Sequence, residues 1–396
     1  MAHRILVVNC GSSSLKFAYL EGGVFLADGL FDRLGGPDAC VRCTFSGETV
    51  ARNVPDATHE SALAEAVALL ERRFGAPLPV DGVGHRVVHG GEFLRSATVV
   101  DEEVIAKIEQ CNELAPLHNP ANIVGIQLAQ KAFPDVPHVT VFDTAFHQTM
   151  PRRTWMYAVP RELYERHRLR RYGMHGTSHE YVSGRAALAL GRPLESLHLV
   201  VAHLGNGCSA CAVREGRSVD TTMGLTPLEG LMMGTRSGDV DPNIHAFLER
   251  VAGMSAAETS DMLNRRSGLL GVSGVSNDMR TVQAAAAAGN DRAEAAIELF
   301  CHRLAKGILA MSASLDRLDA IVFTGGIGEN SAAVRSRAAE SLRVLGVEID
   351  TARNAVHGAT SGGRISTDTS QVACLVIPTS EERAIAEQTA AFLKPA

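Results

Sequence analysis

Two stretches, one starting at residue 4 and the other at residue 197, follow one plan, and that echo limits the folds open to this chain more than any other feature. Residues 4–20, RILVVNCGSSSLKFAYL, run as an apolar strand, a Gly/Ser turn and a second alternating strand. Residues 197–213, LHLVVAHLGNGCSACAV, repeat the strand, a Gly-Asn-Gly turn and a strand of small alternating residues. Each leads into a further turn and polar strand, Glu21-Gly22-Gly23-Val24 in the first and Glu215-Gly216-Arg217-Ser218 in the second. Two β-meanders of one design predict an α/β chain built from a duplicated domain. At 396 residues the chain is in any case too long for one core, and its 45% hydrophobic content suffices for two.

The intervening pattern alternates between helix and strand. Leu63, Val67 and Leu70 recur at helical spacing within His59–Phe74, and Asp101–Leu114 opens on acidic residues as a second helix. Asn119-Pro120 reads as N-cap and first residue of a helix reaching Phe133. His138–Phe142 reads as a buried strand ending at Asp143. Further helices are expected over 178–190, 243–252 and a single Ala-rich run 281–314. Strand Ala320–Thr324 should pass through a glycine turn into a helix from Asn330. Strand Val372–Ile377 should lead to a last helix at Thr379, with Thr379 and Glu382 as its capping box and Glu381 pointing elsewhere. The expected domains are 1–145 with 380–396, and 146–379.

A net charge of −6 argues against a nucleic-acid scaffold or a binder of anionic membranes, and the basic run Arg166–Arg171 reads as a solvated helix end or an anion-facing edge. No stretch reaches the ~18 apolar residues that a membrane span needs. Met1-Ala2-His3-Arg4 runs straight into a strand, unlike a secretory signal, so a cytoplasmic location is expected. Among the eight cysteines, Cys40/Cys43 and Cys208/Cys211 have C-x-x-C spacing. The second pair lies on a strand, where residues three apart face opposite ways, and the first has no nearby His or Cys partner; reduced thiols are expected over zinc or a disulfide.

Chemistry gathers at the turns. In Asn9-Cys10-Gly11-Ser12-Ser13-Ser14-Leu15-Lys16 a strand enters a turn rich in backbone N–H and hydroxyl donors for phosphate oxygens, and Lys16 adds a point charge. An ordinary hairpin would explain the glycine but not Lys16. His203-Leu204-Gly205-Asn206-Gly207 is the matching turn. In Gly325-Gly326-Ile327-Gly328-Glu329-Asn330 the glycines permit close backbone approach to a ring or phosphate. Asp278 and Arg280 could hold ribose or base, or cap the next helix. Arg86, in an apolar strand, and Arg236, in a Gly/Ser-rich loop, supply guanidinium forks able to clamp a carboxylate and a transferring phosphoryl group, or to form structural ion pairs. His175 and His179 have the i, i+4 spacing of a zinc helix but lack its Glu, so His175 is the better donor to a phosphoryl oxygen. Asp143 occupies the place of a ligand-handling carboxylate at a strand's end. Asn9 and Glu381 offer hard oxygen donors for Mg²⁺.

NCGSSSLKF, HRVVHGG, APLHNPAN, VFDTAFHQTMP, RYGMHGTSH, HLGNGCS, DTTMGLTPLEGLMMGTRSGDVDP, FTGGIGEN and PTSEE together resemble the acetokinase family of the actin, sugar-kinase and Hsp70 ATPase superfamily, nearly end to end. The resemblance implies duplicated ribonuclease-H-like domains with ATP in an interdomain cleft, Mg²⁺ (Mn²⁺ as an alternative) and a homodimer. The implied reaction is ATP plus acetate giving ADP plus acetyl phosphate, reversibly. It implies Asn9 and Glu381 at the metal and Arg86 at the substrate carboxylate, with Val88, Leu117, Met174 and Pro227 around the methyl. Asp143 would be the proton donor or acceptor, and His175 and Arg236 the transition-state stabilisers. ATP would meet Lys16 and the Ser12 turn, His203 to Gly207 (with Leu204, Gly205 and Asn206), Asp278, Met279 and Arg280, and Gly326, Ile327, Gly328, Glu329 and Asn330. A carboxylate nucleophile is already ionised at neutral pH, so Asp143 is expected to orient Arg236 or the metal shell more than to move a proton. The sequence departs from the family at Cys208, usually Ser, and at Met174, usually Phe; the second predicts looser acyl selectivity, with propionate accepted. A propionate or other short-chain acyl kinase is the alternative enzyme, and an Hsp70- or actin-like switch would leave Arg86 and Arg236 without a purpose.

Overall fold

The structure, a computed structural model, describes residues 2–45, 47–116 and 118–394. It divides into two compact units, Met1–Gln148 with Ser380–Ala396 and Thr149–Thr379.

The first unit carries β1 (Arg4–Cys10), β2 (Ser14–Glu21), β3 (Val24–Asp32), β4 (Cys40–Phe45), β5 (Glu48–Asn53), β6 (Gly82–Val87), β7 (Thr98–Val99) and β8 (His138–Phe142). They form one sheet in the order β5-β4-β3-β2-β1-β6-β8-β7. The second unit carries β9 (His198–Leu204), β10 (Cys208–Arg214), β11 (Arg217–Thr221), β12 (Ala320–Thr324) and β13 (Ala373–Val376), in the order β11-β10-β9-β12-β13. Set β3-β2-β1-β6-β8 beside that second order and the plan is the same: an antiparallel meander whose first strand continues into two parallel strands reached by crossovers. This is the duplicated α/β arrangement that the two sequence echoes predict, and it agrees with the ribonuclease-H-like domains that the resemblance implies.

The apolar run Ile5–Val8 is continuous because both faces of its sheet are covered. Leu6 and Val8 join Leu15, Phe17 and Tyr19 under the helix His59–Phe74 through Leu63, Ala66 and Leu70. Ile5 and Val7 join Ala18, Leu20 and Val141 under the helix Glu381–Ala390 through Ile385 and Ala386. In the second unit Val200, Ala202, Ala210 and Phe323 pack with Phe300, Leu304 and Ile308 of the long helix Asp291–Ser312. Each large apolar side chain so buried contributes about 1.5–3 kcal/mol.

Several boundaries differ from expectation for local reasons. The Ala-rich run is two helices, Met279–Ala287 and Asp291–Ser312, because Gly289 turns left-handed at φ 88° and Asn290 caps the second helix by accepting from the Ala293 N–H at 3.0 Å. The second helix ends at Gln110, short of Leu114. Asn119 lies inside its helix and His118 is the N-cap; the Asn119 side chain is used elsewhere, accepting from the His89 N–H at 3.1 Å and donating to the His89 carbonyl at 2.9 Å. The glycine run Gly325–Asn330 is itself a helical turn, and Ser331 caps the following helix Ala332–Ser341. The last helix starts at Glu381 after Ser380, and the expected capping box is not formed: the Thr379 hydroxyl pairs with Ser178 and Glu382 pairs with Lys16. Helices Ala256–Arg265 and Gly268–Ser273 were not anticipated. All eight cysteines are free thiols. Among the described residues no group of three or more His, Cys, Asp or Glu is placed to hold a metal, and no helix is long and apolar enough to cross a membrane.

One buried pair makes the first unit acid-sensitive. His85 on β6 and His138 on β8 stack with ring centroids 5.2 Å apart and share a 2.9 Å hydrogen bond, and the other His138 nitrogen meets the Phe133 carbonyl at 3.0 Å. Burial pulls both imidazoles below their ordinary range, and for His85 the neighbouring His138 adds to the effect. The unfolded chain therefore takes up protons below pH ~6.5 that the folded pair refuses, so stability present above that pH is lost as pH falls. Thermal melts from pH 8 to 5 should show a falling midpoint, and replacing both histidines with Leu should flatten that slope; an unchanged slope refutes the assignment.

Candidate active site

In the first unit, parallel pairing of β6 with β8 places Arg86 opposite Val141 and Val87 opposite Phe142, so Asp143 emerges just beyond Arg86. Its carboxylate grips that guanidinium at both oxygens, Nε to Oδ1 at 3.1 Å and Nη2 to Oδ2 at 2.6 Å. Glu381 lies 3.6 Å from Arg86 Nε. Burial works against the Arg86 charge, but the Asp143 and Glu381 carboxylates outweigh it and hold the guanidinium above its ordinary range, so it remains a cation at every working pH. The arginine that Asp143 holds is thus Arg86 and not Arg236. This fork leaves Nη1 of Arg86 outside the pair.

The loop after β6 is fixed by side chains that claim its N–H groups one by one: Asn122 takes Val88 at 3.1 Å, Asn119 takes His89 at 3.1 Å and Thr144 takes Gly90 at 3.1 Å. This is what the HNPAN segment does, and its spacing alone did not disclose it. Leu117 lies outside the described residues. Asn9 faces Lys16 across β1 and β2, beside the turn that carries Ser12. The turn is anchored by Asn122, whose amide donates to the Cys10 carbonyl at 2.7 Å, and by His59 Nε2 against the Gly11 carbonyl at 2.8 Å. Lys16 is half exposed and paired with Glu382, an ion pair of the kind worth about 0–1 kcal/mol.

In the second unit, His175 is the N-cap of helix Gly176–Leu190 with φ 60° and ψ 20°, a left-handed conformation uncommon outside glycine. It stands at the positive end of a 15-residue helix. Its ring stacks on His203 with centroids 4.3 Å apart, and its Nδ1 meets Ser209 Oγ at 2.9 Å. The turn Gly205–Gly207 joining β9 to β10 passes directly in front. A methyl on Gly207 would sit 3.4 Å from His175 Nε2 and 3.4 Å from Arg236 Nη1, so histidine, arginine and glycine turn converge on one point. The Arg236 guanidinium donates to the Pro227 carbonyl at 3.1 Å and lies 3.7 Å from the Met233 sulfur, and no carboxylate is among its partners in the described residues. Burial draws it below the ordinary arginine range, partly offset by Cys208. A partly buried cation without a counter-charge is prepared for an anion. Burial pushes the Cys208 thiol up to about 12, so it is an inert neighbour of the turn. Met174 is 3% exposed and belongs to the apolar core of this unit.

Beyond Gly205 and Asn206 opens a cavity of about 400 Å³ lined by Asn277, Asp278, Met279, Arg280, Gln283, Gly326, Ile327, Asn330 and Ser331. Eight of the anticipated nucleotide contacts therefore share one wall. His203, Leu204, Gly207, Gly328 and Glu329 stand outside its lining. Glu329 instead ties the loop together, its Oε1 accepting from the Gly325 N–H at 2.9 Å and the Thr379 N–H at 3.0 Å. Asp278 caps its helix by accepting from the Arg280 N–H at 2.8 Å, and the Arg280 side chain and backbone bonds hold its carboxyl down at about 2. Arg280 is 89% exposed at the rim. Sequence reasoning missed Asn277, whose amide donates to Asn206 Oδ1 at 3.0 Å, and Gln283, which donates to Ser331 Oγ at 3.0 Å.

It also missed Arg335, fully buried beneath the glycine turn. Its guanidinium donates to the carbonyls of Gly328 at 2.8 Å and Glu329 at 2.9 Å, to Asn354 Oδ1 at 2.7 Å, to the Asn354 carbonyl at 2.9 Å and to His357 Nδ1 at 2.9 Å. Burial lowers it to about 10.

The sequence profile described as "Acetokinase family" matches residues 4–387. The chain is 52% identical over 394 residues to an acetate kinase of Stutzerimonas stutzeri, covering 99% of each. Its structure is similar to a crystal structure of Porphyromonas gingivalis acetate kinase (TM-score 0.93, 42% identity, 99% of this chain and 100% of that one). It is equally similar to a propionate kinase from Francisella tularensis (TM-score 0.93, 43% identity, with the same coverage).

Proposed function

The chain belongs to the acetokinase family, and from that premise we infer that it transfers the γ-phosphoryl group of ATP to acetate, reversibly, giving acetyl phosphate and ADP. The observation that carries this reading is the meeting of His175 Nε2 and Arg236 Nη1 at the Gly207 turn, next to a cavity of nucleotide size.

Acetate reaches the site already ionised, so one of its oxygens attacks the γ-phosphorus without a strong base. The new carboxylate–phosphorus bond forms as the β–γ bridging bond breaks and ADP departs. Charge builds on the equatorial oxygens of the transferring group, and the His175 N–H and the Arg236 fork are the donors that meet it. Arg86, steadied by Asp143, takes the acetate carboxylate; Asp143 serves as a brace. Lys16 exchanges Glu382 for a phosphate oxygen. Asn9 and Glu381 would hold Mg²⁺, since an amide and a carboxylate oxygen suit a hard cation that completes its shell with water and phosphate. When bound, that ion neutralises charge on the phosphates. A homodimer in the cytoplasm completes the reading.

Trapping acyl phosphate as its hydroxamate, with ATP, Mg²⁺ and the C1–C4 acids, tests the assignment; no hydroxamate from acetate would end it. Met174 in place of a ring widens the acid range in this reading, and a propionate kinase is among the structural neighbours. Met174→Phe should raise the acetate-to-propionate ratio of kcat/KM by roughly tenfold, the worth of one methylene. It should also cost about 1–3 kcal/mol of stability by crowding a filled core. An unchanged ratio refutes the selectivity role.

A further inference from the structure

His175, the N-cap of the helix Gly176–Leu190, and His179 in its first turn present their rings to the same neighbour. That neighbour is a hydroxyl. Ser209, on β10 and fully buried, stands with its Oγ 2.9 Å from His175 Nδ1 and 2.8 Å from His179 Nε2. A serine hydroxyl has one proton to give. At most one of these two nitrogens receives it, and a nitrogen that does not must bring its own hydrogen to the oxygen.

For His175 that rule leaves two arrangements. In one, Ser209 donates to His175 Nδ1 and accepts from His179 Nε2–H, which leaves the His175 proton on Nε2. In the other, His175 spends its proton on Ser209 and turns a bare lone pair, or a second cation, toward Arg236. The point that His175 Nε2 shares with Arg236 Nη1 decides between them. An anion there needs a donor, and the adjacent guanidinium disfavours an imidazolium. We propose that Ser209, relayed from His179, is a positioning residue that fixes the neutral Nε2–H tautomer of His175, so that this histidine can donate to the transferring phosphoryl group. The inference rests on the phosphoryl role of His175 argued above.

The same network explains the crowding of polar groups around this helix end. Ser178 Oγ bridges His203 Nδ1 at 2.8 Å and Thr379 Oγ1 at 2.7 Å, and His203 is the ring stacked on His175. Nδ1 of His175 is therefore set by a hydroxyl while its face is set by a second imidazole.

The test combines kinetics with the imidazole protons themselves. Long-range ¹H–¹⁵N correlation spectra of the ¹⁵N-histidine-labelled full chain should place the His175 proton on Nε2 in the wild type and spread it over both nitrogens in Ser209→Ala. That variant should lose roughly 10–100-fold in kcat, as removal of a hydrogen bond behind a functional ligand does, with KM for acetate and ATP unchanged. Ser209→Thr, which keeps the hydroxyl, should restore most of kcat. A wild-type His175 protonated on Nδ1 overturns the proposal whatever the variants do, as does an undiminished kcat in Ser209→Ala alongside an inactive His175→Gln. A fully active His175→Gln would instead remove the phosphoryl role of His175, and the proposal with it.

Discussion

Arg236→Lys is expected to lower kcat by roughly 10³-fold, the scale on which an arginine that meets a transferring phosphoryl group contributes. A lysine ammonium carries the same charge but lacks the planar fork, so it cannot span two equatorial oxygens. KM for acetate should change little, because the interaction belongs to the transition state. The accompanying stability result is the sharper one. Arg236 is a partly buried cation whose described partners are a carbonyl and a thioether, and burial already works against its charge. Arg236→Met should therefore abolish turnover while leaving the melting temperature equal to or above that of the wild type. Initial rates by hydroxamate trapping and melts on the same samples decide the matter. Retained turnover, or a clear loss of stability, would show that the residue is structural.

Arg335→Met has the opposite character. Five acceptors lose their donors at once, two of them the Gly328 and Glu329 carbonyls that end the glycine turn. Each orphaned buried acceptor costs about 1–3 kcal/mol, so even with local relaxation a loss of about 3 kcal/mol or more is expected. In a unit of this size that lowers the melting temperature by roughly 6–12 °C. Because the released turn carries Gly326, Ile327 and Asn330 on the nucleotide wall, KM for ATP should rise while KM for acetate does not. Melting curves and separate titrations of the two substrates check both halves. A stable variant with normal ATP affinity would refute the assignment.

These two arginines mark what sequence can and cannot disclose. Arg236 stood out as a cation in a glycine-rich loop, for clamping a phosphoryl group or for a structural ion pair; in the structure its described partners are a carbonyl and a thioether. Arg335, in Ala-Ala-Val-Arg-Ser-Arg-Ala-Ala, reads as a solvated helix residue; its burial depends on Asn354 and His357, which no local pattern connects to it. The strands were legible for a related reason: period-two alternation and turn residues are local, and the two meanders repeat each other. Asp143 was found but given the wrong arginine, since parallel registry between β6 and β8, not spacing, brings it to Arg86. Asn119 was read as a cap because Asn before Pro usually is one; a loop thirty residues earlier claimed its amide. Ser209 looked like one more small residue on a strand of small residues. Its meaning lies in two rings delivered by a helix from another part of the chain.

The helix that closes the first sheet leaves the ribosome only after the whole second unit. Glu381 and Glu382, the partners of Arg86 and Lys16, and Ile385 and Ala386, which cover Ile5 and Val7, are all made after the entire second unit. Until then the opening sheet must wait with one greasy side bare, Lys16 without Glu382 and Arg86 with Asp143 alone. Assembly of the first unit is therefore tied to synthesis of the second: Ile5 and Val7 acquire their lasting neighbours only once residues 149–379 have been made.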